Sequence, residues 1–350
     1  MAVADIVNGA LLNRLAGLAE DADRLADWPA ESWNLVGEAG GLRWSIPSEF
    51  GGEGLGPVAI AQRYEALAAS CLTSAFILSQ RDAAVRRLLA YDQPHLKSRF
   101  LPALARGDAF MTVGLSQLTT SRQHGAPSLT ATPLGNGGYR LDGESPWVTG
   151  ADQAEAIVIG ATLPDLKQML FVLPRDRHGV TIGQPLEIAA LRGSRTSFVR
   201  CAGVELEREW VLAGPADQVL GKGGGGGLDT STLALGLASA AIEYLRSESN
   251  SRKHLEPMVA RFEKVQRQVR QCLHHLAAES GSVAETLSLR VDATRLALRA
   301  TQTALIVSKG MGFVSPHPAQ RWARQALFFL VWSCPRPAAE GILSELTPPE

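Results

Sequence analysis

The sequence predicts an α+β protein in three consecutive parts: N-terminal helices, a small middle β-barrel or sandwich, and a C-terminal helical bundle. Three observations carry that prediction. Apolar residues recur at helical spacing up to about residue 109. Short β-branched runs separated by turn signals fill 110–215. Long apolar stripes at helical spacing return over 216–350.

In the first part, Leu11, Leu12, Leu15 and Leu18 recur on one helical face, which Leu25 and Trp28 continue. PSEFGGEGLGP (47–57) is a Gly/Pro-rich break and reads as a loop. Helical patterns resume in VAIAQRYEALAASCLTSAFILSQRDAAVRRLLAYD and QPHLKSRFLPALARGD. In the middle part FMTVGLSQ, SLTATPL, YRLDGESPWVTG, AEAIVIGATL, KQMLFVLP, GVTIG and SFVRCAGVELE read as strands, with GNGG and RDRHG among the turns between them. In the last part LDTSTLALGLASAAIEYLRSES, PMVARFEKVQRQVRQCLHHLAAE, AETLSLRVDATRLALRATQTALIVS and HPAQRWARQALFFLVW read as bundle helices.

Bulk composition excludes several classes. Net charge is −1 over 350 residues, so no global field draws nucleic acid or an anionic membrane. No window reaches about 18 uninterrupted apolar residues, so no membrane-inserted helix is expected. The N-terminus mixes charge into its apolar positions and reads as an amphipathic helix rather than a signal peptide. Cys71, Cys201, Cys272 and Cys334 are scattered, without a CxxC pair. That fits reduced thiols in a cytoplasmic protein, with no zinc site and no disulfide framework. His274 and His275 are adjacent, point about 100° apart on a helix and cannot chelate one metal together.

Two glycine segments invite a phosphate reading. GKGGGGG (221–227) lacks the Lys–Ser/Thr order of a phosphate loop and reads as a linker. SKGMGF (308–313) follows a long helix, so Gly310 is either a helix stop or a place for close phosphate approach.

Six strings then combine, in order, into one pattern. GLRWSIPSEFGGEGL (41–55) resembles "G…iP-x-x-yGG-x-G". HLKSRFLPALARGDAF (95–110) resembles "qK-x-x-yLP-x-la-x-G". YRLDGESPWVTGADQAEAIVI (139–159) is similar to "y-x-l-x-GeK-x-wIt-x-a-x-x-ad". LRGSRTSFVRCAGVELEREWVL (191–212) is similar to "G-x-rgs-x-t-x-x-v-x-F-x-dv-x-VP". Arg252 resembles the Arg of "R-x-x-fG-x-p". GMGFVSPHPAQRWARQALFF (310–329) resembles "GG-x-Gy…R-x-x-Rda". Together they resemble the acyl-CoA dehydrogenase family of flavoproteins, over nearly the whole chain.

The changes of texture put domains at 1–109, 110–215 and 216–350, and the resemblance implies FAD between the β unit and the bundle. It also implies an acyl-CoA or related substrate of fatty acid metabolism, a homodimer or homotetramer, and an electron-transfer flavoprotein as redox partner. The family's "TEP-x-aGSD" turn aligns with the segment after Leu115, from Ser116 to Ser121, without its Glu-Pro. The "w-I-t" element is intact as Trp147-Val148-Thr149, where an aromatic wall and a hydroxyl suit a flavin; the alternative for Trp147 is a core anchor of the barrel. Arg252, Lys309 and Gly310 are the implied phosphate contacts.

Thioester dehydrogenation needs a carboxylate beside the substrate's α-carbon. The family's Glu falls here on Ser333, nine residues after Arg324, and its alternative site falls on Ser231. Gln325 also replaces the acid of "Rda". Glu340 and Asp229 are the candidate substitutes. Two other activities fit a missing base: a flavin-dependent monooxygenase on the same fold, or a non-catalytic acyl-binding subunit.

Overall fold

Among the residues described by the computed structural model (7–119, 125–221, 227–279 and 281–347), six α-helices precede the first strand. They are α1 Gly9–Gly17, α2 Ala19–Arg24, α3 Ala30–Glu38, α4 Pro57–Ser70, α5 Leu72–Ala90 and α6 Pro94–Arg106. Helix α6 starts with Pro94 in its first turn and stops at Gly107, whose φ of 81° ends the helix in the left-handed region. Helix α5 is buried on most of its circumference, and it packs against α4, α7 (Asp229–Ser251) and strand β1 (Met111–Gly114). It therefore stands between the sheet and the bundle.

The middle part is one mixed sheet. Its other strands are β2 Leu129–Pro133, β3 Tyr139–Val148, β4 Ala156–Thr162, β5 Gln168–Pro174, β6 Val180–Ile182, β7 Ser197–Leu206 and β8 Val211–Ala216. The order is β6-β7-β3-β2-β4-β5-β8, with β1 paired parallel to β4. Strands β4 and β5 are apolar along almost their whole length, as expected for strands covered on both faces.

The bundle contains α7, α8 Glu256–Glu279, α9 Val283–Ser308, α10 Pro318–Phe328 and α11 Arg336–Leu346. A capping box starts α9. The Ser282 hydroxyl accepts from the Glu285 N–H, and the Glu285 carboxylate accepts from the Ser282 N–H at 2.9 Å. Helices α4 and α7 approach closely at Gly236, where a Cβ would lie 2.6 Å from both the Ala68 Cβ and the Glu65 carbonyl oxygen.

Two apolar clusters result. One joins α1–α5 to the bundle; the other joins α5 and α6 to the sheet. The N-terminal helices thus share a core with the C-terminal ones across some 200 intervening residues. Charged side chains reinforce this. The buried Glu65 carboxylate of α4 receives Arg270 of α8 through two nitrogens, the shortest contact being 2.6 Å. No helix among the described residues is long and apolar enough to cross a membrane. No group of metal-ligating side chains occurs among them either.

Candidate active site

Strand β3 carries the Trp147–Thr149 element at its end. The β3–β7 pairing shifts register between Ser145 and Val148, and Trp147 occupies the irregularity at φ 60°. An extra residue in a strand re-aims its side chain. The indole accordingly leaves the core and is 56% exposed, so Trp147 is not a core anchor of the sheet. Thr149 is buried. Its hydroxyl lies 3.2 Å from that of Thr196, which lies 2.9 Å from that of Ser194. The Gly150 N–H donates to the Ser194 carbonyl at 2.9 Å. A Cβ at Gly150 would meet Phe110 and Trp28 at 3.0 and 3.1 Å, and φ there is 59°, so glycine is required.

The turn after β1 lies beside this segment. Leu115 is half-buried. The Ser116 hydroxyl donates to the carbonyl of Pro146, the residue before Trp147, at 3.0 Å. Gln117, which sequence reading did not single out, fixes the turn. Its amide donates to the carbonyls of Gly114 and Gly160 at 3.0 and 2.7 Å and accepts from the Ser145 hydroxyl at 3.0 Å. Gln117 occupies the position of the absent Glu, and its polarity beside a strand end was the available signal. Ser121 lies outside the described residues.

Arg252 ends α7 and meets the end of α9. Its guanidinium donates to the Val307 carbonyl at 2.8 Å and pairs with Glu248 at 3.1 Å, and the side chain remains 41% exposed. Lys309 has φ 54°, and Gly310 has open space around its Cα. Arg252, Lys309 and Gly310 therefore share one corner of the bundle. No hydrogen bond or ion pair among the described residues joins that corner to Trp147–Thr149.

Ser333 follows α10 at φ 43°. The ring of Trp332 stacks on Phe328 (5.1 Å, 13°) and meets the edge of Phe76 at 5.0 Å. Below the turn, the buried Arg290 of α9 donates to the carbonyls of Phe329 and Trp332 at 2.8 Å each. Its Nε and Nη1 find no acceptor, and burial pulls its pKa down to about 10. Burial pushes the neighbouring Cys334 thiol up, against the opposing pull of Arg290. Among the described residues, five of the six non-glycine residues with positive φ are Trp147, Leu191, Arg195, Lys309 and Ser333. Such strain concentrates at functional sites.

Neither substitute carboxylate is free. Asp229 forms an ion pair with Arg86 of α5. Arg86 lies ten residues beyond Phe76 on that helix, about 15 Å from the Trp332 contact. Glu340 is exposed on α11 and accepts from Arg336, one turn earlier, at 2.7 Å. Ser231 is buried on α7 with an unpartnered hydroxyl.

Residues 2–108 match the model of the acyl-CoA dehydrogenase N-terminal domain. A probable acyl-CoA dehydrogenase of Bacillus subtilis (strain 168), YngJ, is 23% identical over 347 residues, covering 93% of this chain and 91% of the relative. Butyryl-CoA dehydrogenase from Megasphaera elsdenii superposes with a TM-score of 0.85 at 18% identity, over 96% of each chain. Dibenzothiophene monooxygenase TdsC from Paenibacillus sp. A11-2 superposes with a TM-score of 0.81 at 18% identity, over 97% of this chain and 95% of that one. With the helical–β–helical order and the six ordered strings, these findings show an acyl-CoA dehydrogenase N-terminal domain over residues 2–108 and a whole-chain likeness, in sequence and fold, to acyl-CoA dehydrogenases.

Proposed function

We propose that the protein is an FAD-dependent oxidoreductase of acyl-CoA dehydrogenase type, acting on an acyl thioester such as an acyl-CoA. The observation that carries this reading is Trp147, a large aromatic side chain held out of the sheet on a left-handed backbone. An exposed indole beside two placed hydroxyls, Ser116 and Thr149, fits a flat heteroaromatic ring. Flavin supplies a two-electron hydride acceptor when bound.

The chain's own residues then have separate tasks. Trp147 gives the ring a flat wall. Thr196 and Ser194 fix the Thr149 hydroxyl. Arg252 keeps N–H groups beyond its Val307 and Glu248 contacts for phosphate oxygens, and Lys309 adds a second cation. Phe76, Phe328 and Trp332 give the acyl group beside Ser333 an aromatic lining.

The exposed row Ile306, Met311, Phe313 and Val314 runs past the Arg252–Gly310 corner, which supports coverage by a second copy in a homodimer. An electron-transfer flavoprotein is the expected electron acceptor for a dehydrogenase of this family.

A second activity on the same fold has its own support. A serine hydroxyl without a neighbouring base does not take a weakly acidic α-proton, and both candidate substitute acids are paired to arginines. A flavin-dependent monooxygenase needs no such base, and TdsC carries that name on this fold.

Anaerobic visible spectra, taken before and after a panel of acyl-CoAs, test the proposal. Bleaching of bound flavin supports dehydrogenation and requires a base. A flavin that stays oxidised with every thioester favours the monooxygenase. Failure to take up FAD overturns both activities.

A further inference from the structure

We propose that Asp23, on the short helix α2, is a positioning residue for the flavin site, holding the wall that carries Trp147–Thr149 against the helix that leads to Ser333. The inference rests on the flavin reading above and adds a residue that no motif contains.

Asp23 has no exposed surface, and three donors converge on its carboxylate. One oxygen accepts from the Leu191 backbone N–H at 2.8 Å and from the Gln325 side-chain amide at 2.8 Å. The other accepts from Arg324 Nη1 at 2.7 Å, and the same nitrogen donates to the Ala189 carbonyl at 2.9 Å. Each donor belongs to a segment already placed at the site. Leu191 opens a tight turn, Arg192–Ser194, between left-handed residues at φ 62° and 47°. The carbonyl of Ser194 takes the Gly150 N–H, and its hydroxyl begins the row that ends at Thr149. Arg324 and Gln325 lie on α10, nine and eight residues before Ser333. One buried carboxylate therefore fixes both elements at once.

Chemistry makes the acid necessary. The Leu191 N–H and the Arg324 guanidinium can only donate and sit on opposite oxygens, so an asparagine would turn its N–H₂ towards one of them and that donor would lose its acceptor. Arg324 would also lose the only carboxylate it bonds among the described residues.

Helix α2 supplies an internal control. Glu20, one turn earlier, accepts from Ser315, Gln320 and Arg321 at 2.8, 3.2 and 3.1 Å. It grips α10 and the turn before it, but none of its hydrogen bonds reaches the Leu191–Ser194 turn. A merely structural clip predicts that Glu20→Gln and Asp23→Asn behave alike. A positioning role predicts that they do not.

The experiment titrates FAD into apo wild type, E20Q and D23N well below their melting temperatures, following flavin fluorescence and the visible band shape. Loss of one charge-assisted hydrogen bond is worth on the order of tenfold in an equilibrium constant. D23N is expected to weaken FAD binding by about that factor and to alter the flavin band, while E20Q lowers the melting temperature and leaves affinity unchanged. Wild type that binds FAD, with D23N and E20Q equally tight, overturns the inference alone. Wild type that never binds FAD overturns the flavin reading beneath it. If D23N does not fold, Thr196→Val cuts the same chain of contacts at its far end; unchanged FAD affinity there overturns the proposal, and a matching loss supports it.

Discussion

Arg290 Nη2 lies 2.8 Å from the carbonyl oxygen of Trp332, one residue short of Ser333. The guanidinium holds the turn and is itself poorly compensated, with two nitrogens unpartnered. Removing it has opposing effects. Each lost hydrogen bond from a charged donor costs about 1.5–3 kcal/mol. Relief of the buried cation, whose pKa burial pulls down to about 10, returns about 3 kcal/mol. Arg290→Met is therefore expected to change global stability by no more than about 2–3 kcal/mol, while amide exchange over 329–335 speeds up. Denaturant titration and hydrogen exchange check this. Slow exchange in the variant counts against Arg290 as the clamp of the Ser333 turn.

Ser333→Glu restores a carboxylate at the implied base position. The backbone is already left-handed there, so a glutamate meets no more strain than the serine does. General-base catalysis contributes roughly 10²–10⁴-fold. The variant is expected to bleach bound flavin with acyl-CoA at a rate increased by that order. An unchanged rate would remove Ser333 from the reacting centre.

Trp147→Ala separates binding from folding. With 56% of its surface already exposed, the indole contributes little to the core. The variant is expected to melt within a few degrees of wild type and to lose FAD affinity by about tenfold, taking stacking as worth roughly 1–1.5 kcal/mol. Equal affinities would send the flavin elsewhere.

The four thiols should sort by burial. Cys71 and Cys201 are buried, and burial pushes the Cys201 thiol up to about 12, well above the ordinary thiol value of 9.0. The sign follows directly. Below about pH 9 the thiol is protonated in both states and has no pH effect. Above it the unfolded chain ionises and the folded one does not, so stability falls as pH rises from 9 towards 12. At pH 8 a thiol reagent should label exposed Cys272 first and leave Cys71 and Cys201 intact until unfolding. Early labelling of Cys201 would contradict the packing of β7.

Gly236→Ala tests the α4–α7 contact. The added methyl would sit 2.6 Å from the Ala68 Cβ and the Glu65 carbonyl. Alanine favours helix by about 1 kcal/mol over glycine. Overpacking costs about 1–3 kcal/mol, so a net loss is expected. A more stable variant would show that the helices separate freely.

Much of this was legible in the sequence. Helical spacing at Leu11–Leu18, the turn-punctuated strands and the six ordered strings led to the three-part fold. Local signals also singled out Trp147, which the structure turns outward at the end of β3, and Arg252, which it sets against the end of α9. What stayed hidden depends on contacts between distant segments. Nothing near Asp23 announces that Leu191 and Gln325 will converge on it. Arg290 sits within an ordinary helical pattern, and its burial depends on α10 arriving from 39 residues away. Asp229 and Glu340 looked available because a sequence does not display the arginines that occupy them. The outward turn of Trp147 depends on an irregularity in pairing with β7, some 50 residues later.

The grip of α2 on α10 also has a meaning in time. Gln320 and Glu20 are 300 residues apart in the chain. At roughly 5–20 residues per second, a ribosome needs on the order of 15–60 s to deliver one after the other. During that interval the first helices are outside the exit tunnel with their apolar faces and two carboxylates still waiting for partners. The nascent chain is then most vulnerable at its oldest end, and its final helices complete the fold that the first ones began.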